Sequence, residues 1–190
     1  MKMAEEKVEM LSNNRIIYMT GNFTEQKAEQ IVHRLFQYEC DDPGKDILLF
    51  IDSYGGYVDS FVTIHETIKL LRCDVATCCI GKAMSCGQLL LISGKNGKRF
   101  ITPNSRVMIH EFSAGSSGKL TELEIFIQEN KRLQKAIFEK FNIRYTKLKK
   151  ADLNRLKGKD TYLSAKECIK YGLVDHIITK PNVLYKNVDI

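Results

Sequence analysis

The sequence has little proline and no long hydrophobic run, and both shortages exclude classes of protein. Only 3 of the 190 residues are proline, which excludes collagen-like and proline-rich architectures. The longest apolar runs are Ile47–Ile51 and Leu89–Ile92, far shorter than the roughly 20 residues of a transmembrane helix. The N-terminal MKMAEEKVEM has acidic residues where a signal peptide has its apolar stretch. We therefore expect a cytoplasmic protein with no membrane-spanning helix.

The cysteines are not spaced as a metal site. The sequence has 6 cysteines, and none forms a CxxC pair, which argues against structural zinc. Without a secretion signal, we expect them to be reduced thiols. Cys78 and Cys79 lie in an apolar run and are predicted to be core residues. The sequence also lacks a GxGxxG fingerprint and a phosphate-binding loop, and we predict no cofactor and no metal.

Positive charge is concentrated in one part of the chain. The formal net charge is +6, and residues 131–159 alone contain 11 Lys and Arg against 2 acidic residues. A nucleic-acid surface is one interpretation, but few aromatic residues are interleaved and no nucleic-acid motif surrounds the stretch. A solvated, lysine-rich helix face is the favoured interpretation, so we expect no nucleic-acid partner.

Alternating strand and helix patterns indicate an α/β domain with much parallel sheet. Apolar runs predict strands at 15–20, 47–51 and 75–80, two short strands between 99 and 109, and a last strand in VDHII. Helical spacing predicts helices from Thr24, over 58–71, near 87–92, over 120–141, at 151–156 and at 164–171. Gly21, SYGGY and GKAMSCG are predicted to end the first three strands. We expect one domain over 15–180, with tails at 1–14 and 181–190.

Ser85 is the first candidate for chemistry. It lies in GKAMSCGQ, between a buried strand and an apolar helix. Backbone N–H groups and the helix dipole favour negative charge at such a place, which suits a nucleophile whose reaction generates an oxyanion. A serine before a helix is more often an ordinary N-cap, and the segment is not a GxSxG elbow.

His110 and Asp160 are candidates for its partners. His110 ends the apolar strand RVMIH, where an imidazole can reach a cleft and act as general base. His33, His65 and His176 compete for that role, although His33 and His65 lie in helical patterns. Asp160, in KGKDTYLSA, has the carboxylate that could orient an imidazole. A turn aspartate or a helix cap is the alternative interpretation.

Gly55 and Gly56 directly follow a buried strand. A glycine pair lets the backbone approach a ligand closely and present an N–H group. The N–H groups of Gly56 and Cys86 are therefore candidates for an oxyanion hole. A tight strand-to-helix turn is the alternative interpretation.

Five ordered segments resemble the ClpP family, the proteolytic subunits of the Clp proteases. They extend from about Arg15 to Ile178, and they are RIIYMTG, DDPGKDILLFIDSYGG, IGKAMSCGQLLL, GKRFITPNSRVMIHEF and KDTYLSAKECIKYGLVDHII. The segment around His110 is the most specific match. The resemblance implies the ClpP/crotonase-like spiral of ββα units, an α/β fold, with the helix over about 120–141 as its protruding handle.

The resemblance also implies a serine endopeptidase. Ser85 would be the nucleophile, His110 the general base and acid, and Asp160 the orienting acid. The backbone N–H groups of Gly56 and Cys86 would form the oxyanion hole. Because that role uses the backbone, a cysteine at position 86 should be tolerated, and its thiol is expected to be open to oxidation or alkylation.

The partners implied are those of the family. Two stacked heptameric rings of this chain, a tetradecamer, would enclose a chamber that degrades unfolded polypeptides. A ring-shaped AAA+ Clp ATPase would feed the chamber and would itself use the ATP. The matching ATPase-docking positions are apolar here, and they are Leu48, Phe50, Leu70, Phe100 and Ile178. A second ClpP paralogue is a further candidate partner.

Several positions depart from the family pattern. Tyr54 replaces a proline, Glu111-Phe112 follows His110 instead of Gln-Pro, and Gln88 replaces a small residue. Gly158-Lys159 stands where an acidic–Arg pair links subunits. The spacing from His110 to Asp160 is one residue longer than in close members, which predicts a loop insertion. Only fourteen residues precede Arg15, so a shorter axial gate than usual is expected.

Three hypotheses about function remain at this point. The leading one is an active ClpP-like serine peptidase. The second is a weakly active or structural ClpP-like subunit that requires a partner ring, which the altered loops favour and the intact Ser85, His110 and Asp160 oppose. The third is another crotonase-fold activity such as acyl-CoA chemistry, for which no basic nucleotide cleft is evident.

Overall fold

The computed structural model describes residues 15–156, 159–180 and 184. The predicted tails at 1–14 and 181–190 lie outside these residues, except for Leu184, and so does Gly158. Among the helices of the described residues, none is both long and apolar enough to span a bilayer.

The strands of the described chain form one seven-stranded sheet. Five of them follow the order β1-β2-β3-β4-β7, while β5 pairs with β3 and also with β6. Every pairing is parallel except that of β5 with β6, so the predicted α/β fold with mostly parallel sheet is confirmed. The strands are β1 (Ile16–Phe23), β2 (Ile47–Gly56), β3 (Val75–Met84), β4 (Arg99–Ile101), β5 (Arg106–Ile109), β6 (Thr161–Ser164) and β7 (His176–Ile177).

Helices connect the consecutive strands except β4 and β5, as expected for a mostly parallel sheet. They are α1 (Glu25–Asp41), α2 (Val58–Leu70), α3 (Cys86–Ile92), α4 (Leu120–Leu133), a π-helix (Gln134–Phe141), α5 (Asn142–Tyr145), α6 (Lys150–Leu156) and α7 (Ala165–Lys170). The predicted cap of α1 is present, because the Thr24 side chain accepts a hydrogen bond from the Lys27 N–H at 3.2 Å. No residue of α4 is buried, whereas every residue of α3 is buried.

The first three strands are longer than the sequence predicts. β1 continues past Gly21 after a register shift, and β2 runs through Gly55-Gly56 to pair with the end of β1. β3 includes Gly81 to Met84 after a second register shift against β2. Glycines and polar residues marked these segments as turns. The neighbouring strands nevertheless supply backbone partners beyond each irregularity, as at a β-bulge.

β3 has two successive neighbours along its length. Its first half pairs with β4 through Thr77–Cys79, and its second half pairs with β5 through Lys82–Met84. The sheet therefore divides at the middle of β3. This division places the end of β3 beside the end of β5, which is where the candidate residues Ser85 and His110 follow.

Two hydrophobic clusters are buried on the described chain. The main cluster contains most of the buried apolar residues, including Cys79, Cys86 and Cys168, and helices α1, α2 and α3 pack into it. A smaller cluster contains Leu48, Ala76, Cys78, Phe100 and Leu184. Both Cys78 and Cys79 have no exposed surface, so their predicted burial is confirmed.

The helical pattern predicted over 120–141 is present, but its second part is π-helical. A π-helix has i→i+5 hydrogen bonds and accommodates an extra residue without leaving the helix. The π-helix lies between His110 and Asp160, where the sequence predicts a loop insertion. A stretch that the sequence analysis did not identify, β6, follows Asp160 directly.

Candidate active site

Ser85 occupies a strained turn between β3 and α3. Its backbone has φ 54° and ψ −122°, a region that non-glycine residues adopt at a cost of about 1–3 kcal/mol. Its N–H donates to the Met108 carbonyl at 3.0 Å, and its carbonyl accepts from the N–H groups of Gln88 and Leu89. Its side chain caps none of the N–H groups of α3. The ordinary N-cap interpretation is therefore wrong, and the hydroxyl is available for other chemistry.

Small residues flank this turn. Ala83 and Gly87 stand two residues before and after Ser85, and a Cβ atom at Gly87 would lie 3.2 Å from the Ser53 carbonyl oxygen. The GxSxG elbow needs small residues at the same two positions because its serine also sits on a strained strand-to-helix turn. The segment lacks the GxSxG pattern but has the same strand–turn–helix arrangement, with alanine at the first small position.

His110 lies against Ser85 because of the register of β5 on β3. Met84 pairs with Met108 in parallel, so the residues that follow each strand emerge side by side. The His110 Nε2 is 2.8 Å from the Ser85 Oγ, a hydrogen-bond distance. The imidazole is half-buried, with 22% of its side chain exposed. A general base needs this contact with the hydroxyl whose proton it removes.

Asp160 lies against His110 because of a second register. β5 and β6 are antiparallel, and Ile109 pairs with Thr161, so His110 and Asp160 stand next to one another beyond that pair. The Asp160 Oδ1 is 3.4 Å from the His110 Nδ1, longer than a typical charge-assisted hydrogen bond. The Asp160 side chain is 56% exposed. Catalytic hydrogen bonds are often long before substrate binds.

The other histidines have different surroundings. His65 is buried among Phe61, Phe141 and Tyr145, and burial lowers its pKa to about 4. His176 stacks on Phe100 and its Nε2 lies 3.1 Å from the Gly97 carbonyl oxygen. His33 is an exposed residue of α1. Of the four histidines, His110 is the one at hydrogen-bond distance from Ser85.

The Gly55–Gly56 segment packs directly on the Ser85 turn. A Cβ atom at Gly55 would lie 2.7 Å from the Ser85 Cβ and 3.2 Å from the Cys86 backbone nitrogen. Gly55 has φ 105° and Gly56 has φ 146°, so both positions favour glycine. Gly56 pairs with Phe23 of β1 in the parallel ladder. The two backbone segments predicted to form the oxyanion hole are therefore adjacent.

Ser53 supports the glycine segment and was not singled out by the sequence. It is fully buried, and its Oγ accepts a hydrogen bond from the Gly55 N–H at 3.0 Å. The same Oγ donates to the Gly21 carbonyl, which ties the segment to β1. A serine two residues before a pair of glycines, at the end of a buried apolar run, is the signal that could have identified it.

Cys86 is a structural thiol rather than a reactive one. Its side chain is 1% exposed and its Sγ donates to the Gly56 carbonyl at 3.3 Å. Burial raises the pKa of this thiol to about 11, so little thiolate is present near neutral pH. The expectation that Cys86 is open to oxidation or alkylation is therefore wrong. Its thiol instead connects α3 to the glycine segment.

A groove of about 570 Å³ begins next to His110, between the segment after β5 and the long helix. Phe112, Phe126 and Ile127 supply apolar walls, and Lys131 and Glu139 add charges of opposite sign. The dimensions are within the range of ligand sites, and the open shape suits an extended chain. Among the described residues, no group of three His, Cys, Asp or Glu side chains is arranged to hold a metal ion.

Four of the five predicted docking residues belong to the smaller cluster or pack against it, and the fifth is exposed on α2. Leu48 and Phe100 are fully buried in the smaller cluster, and Phe50 and Ile178 pack against it. Leu70 is 74% exposed at the end of α2 and belongs to neither cluster. Leu184 also packs in the smaller cluster, so a residue near the C-terminus covers part of it.

A serine on a strained turn, a histidine at hydrogen-bond distance and a carboxylate beyond the imidazole form the arrangement of a serine hydrolase. The sequence matches the family model described as Clp protease over residues 2–181. Since the match covers nearly the whole chain, this protein belongs to the Clp protease family. Membership implies a serine peptidase of the Clp type.

Proposed function

We propose that this chain is a serine endopeptidase that degrades unfolded polypeptides, with Ser85, His110 and Asp160 as its catalytic residues. The observation that carries the proposal is the 2.8 Å contact between the His110 Nε2 and the Ser85 Oγ. The strained backbone of Ser85 supports it, because such strain persists where the surrounding structure imposes it and is often part of a mechanism.

The reaction follows from this arrangement. The Ser85 Oγ attacks the peptide carbonyl carbon while the His110 Nε2 takes its proton. Asp160 stabilises the imidazolium that forms, and the N–H groups of Gly56 and Cys86 stabilise the oxyanion. The imidazolium then protonates the leaving amine, and a water molecule, deprotonated by His110, hydrolyses the acyl-enzyme. No cofactor or metal takes part in this proposal.

The proposed working form is a pair of stacked heptameric rings fed by an AAA+ Clp ATPase in the cytoplasm. The long helix supports subunit contacts, because Leu120, Ile125 and Ile127 are exposed and α4 buries no residue of its own. Exposed apolar side chains on a helix are typical of protein interfaces. The smaller cluster, with Phe50 and Ile178 at its edge and Leu70 on α2, is the proposed ATPase-docking surface.

A second candidate function is a weakly active or structural subunit that needs a partner ring, such as a second ClpP paralogue. The 3.4 Å separation between Asp160 and His110, with more than half of the Asp160 side chain exposed, is the observation that favours it. A misplacement of about 1 Å at a catalytic group can lower the rate about 100-fold. A partner subunit would then have to complete the alignment.

The two candidates can be separated with a serine-reactive fluorophosphonate and intact mass measurement. We expect one adduct on the wild-type chain, none on Ser85→Ala, and particles of about fourteen chains for both proteins. Ser60→Ala is the matched control, because the buried Ser60 hydroxyl in α2 makes no hydrogen bond to any described residue and its removal should leave labelling unchanged. No adduct in a smaller particle would favour the subunit that needs a partner. No adduct in a complete double ring would overturn the peptidase proposal for this chain alone.

A further inference from the structure

The backbone that follows His110 leaves the sheet at once. The last pair of the β5–β6 ladder is Ile109 with Thr161, and residues 110–118 have no strand or helix structure. Glu111 and Phe112 are half-buried, whereas residues 113–118 are exposed. The ladder therefore restrains His110 only through the residues that precede it in the chain. A strand end without a further anchor opens more easily than the strand interior.

Gln134 provides an anchor on the other side. Its Oε1 accepts a hydrogen bond from the Phe112 N–H at 3.0 Å, and its Nε2 donates to the Glu111 Oε1 at 3.2 Å. Both polar atoms of one amide thus contact the two residues that follow His110. Because a hydrogen bond at each end of the amide fixes its orientation, the contact restrains the backbone segment in direction as well as in distance.

The helix that carries Gln134 is fastened to the nucleophile turn as well. Gln134 begins the π-helix, and Asn142 follows its end. The fully buried Asn142 Oδ1 accepts a hydrogen bond from the Gln88 Nε2 at 3.0 Å, and its Nδ2 donates to the Phe138 carbonyl at 2.8 Å. Gln88 stands three residues after Ser85 in α3. One helical segment therefore contacts both the helix after Ser85 and the chain after His110.

The π-helix sets the direction of the Gln134 side chain. One additional residue in a helix rotates the preceding turns by about 100° relative to the following ones, since an α-helix has 3.6 residues per turn. Phe138, Phe141 and Asn142, which follow Gln134 in the chain, are buried and hold the C-terminal end of the π-helix in place. Because that end is held, the additional residue of the π-helix determines whether the side chain of residue 134 points at the Glu111–Phe112 segment.

We propose that Gln134 is a positioning residue that holds His110 at hydrogen-bond distance from Ser85 through its two contacts with the Glu111–Phe112 segment. The inference rests on the proposed peptidase function. In this assignment Gln134 does not touch the reacting atoms. It acts on His110 through the backbone segment that follows it. Its loss should therefore slow the chemical step and leave peptide binding nearly unchanged.

The test compares Gln134→Ala and Gln134→Glu with the exchange pair Glu111→Gln/Gln134→Glu. In Gln134→Glu, two carboxylates would face each other and the bond to position 111 is lost. In the exchange pair, the new amide at position 111 donates to the new carboxylate at position 134, which still accepts from the Phe112 N–H. Glu111→Gln alone is the reference for the pair, and Gln128→Ala, at an exposed position of α4, is the matched control.

The readouts are kcat and KM for a small fluorogenic peptide, the fluorophosphonate labelling rate of Ser85, the particle size and the melting temperature. We expect Gln134→Ala and Gln134→Glu to lower kcat and the labelling rate about 10- to 100-fold, with KM changed less than about threefold. In the exchange pair, kcat and the labelling rate should recover to within about threefold of their values in Glu111→Gln. Gln128→Ala should match wild type.

Two results would overturn the inference. One is a labelling rate that stays at the wild-type value in both Gln134 variants. The other is a loss that the exchange pair does not reverse and that follows a lower melting temperature or a smaller particle, which would give Gln134 only a general role in helix stability. Failure of the proposed function is a different result, because the wild-type chain would then show no Ser85 labelling at all.

Discussion

The Ser85 Oγ lies 2.8 Å from the His110 Nε2, although 25 residues separate them in the chain. Two strand registers produce this contact and its extension to Asp160: Met84 with Met108 in parallel, and Ile109 with Thr161 in antiparallel pairing. Backbone ladders thus bring the three side chains together, with Ser85 and His110 directly after β3 and β5 and Asp160 directly before β6. Ladder-held groups keep their spacing within narrow limits, which serine hydrolase chemistry requires.

Asp160→Asn should lower kcat sharply, although the proposed nucleophile Ser85 is unchanged. An amide cannot stabilise the imidazolium and favours the wrong tautomer, and the corresponding change in serine proteases costs about 10⁴-fold. Because Asp160 is half-exposed and 3.4 Å from the imidazole, we expect a smaller loss of about 10²- to 10³-fold. Steady-state peptide hydrolysis over a pH series measures it. A loss below about tenfold would show that Asp160 does not orient His110.

Gly55→Ala should abolish labelling of Ser85 by closing the gap beside the nucleophile. The new Cβ would lie 2.7 Å from the Ser85 Cβ and 2.9 Å from the Met84 carbonyl oxygen, so the turn must move. Gly97→Ala is the matched control, since Gly97 also has a positive φ, of 88°, but no atom lies within 4 Å of its Cβ position. The control should lose only about 1–2 kcal/mol of stability to backbone strain. Equal labelling of the two variants would contradict the close approach.

Alkylation of the native protein should modify Cys40 and spare Cys86. Cys40 is the exposed cysteine, and the remaining five are buried. Intact mass after iodoacetamide should show one adduct on wild type and none on Cys40→Ser, with Ser85 labelling unaffected in both. Addition of denaturant should then expose all of the thiols. An adduct on Cys86 in the native protein would mean that the start of α3 opens in solution.

The buried His65 should make the fold less stable as the pH falls below neutrality. Burial lowers its pKa to about 4, and Lys69 and Arg144 act in the same direction while Glu66 opposes them. The folded pKa is below the unfolded value of about 6.5, so between these pH values the unfolded chain binds a proton that the folded chain does not. The contribution of neutral His65 to the free energy of unfolding is therefore fully present above about pH 6.5. About 3 kcal/mol of it is lost as the pH falls toward 4.

Comparison of wild type with His65→Gln measures this contribution. The free energy of unfolding of the variant should depend less on pH across that window, whereas His33→Gln, at an exposed position of α1, should follow wild type. Denaturant titrations at pH 7.5, 6 and 5 provide the values. Parallel curves for wild type and His65→Gln would show that folding does not lower the pKa of His65.

Sequence reasoning identified the chemistry of the site but not the contacts that hold it. Ser85 and His110 stood in local patterns typical of a helix start and a strand end, whereas only the resemblance to the ClpP family selected Asp160. Gln134 carried no such pattern, because an amide on a polar helix face is ordinary. Gln88 was noticed as a departure, but its partner Asn142 lies 54 residues further along the chain.

The sequence alone determined the α/β class and the order of most elements, because hydrophobic periodicity is a local property. Its resemblance to the ClpP family selected the three candidate catalytic residues. The tertiary structure decided the extent of β1, β2 and β3, the existence of β6 and the π-helix, and the burial of the Cys86 thiol. Each of these depends on a partner distant in the chain. A backbone group pairs beyond a glycine only if a neighbouring strand is in register, and a thiol becomes unreactive only when another segment covers it.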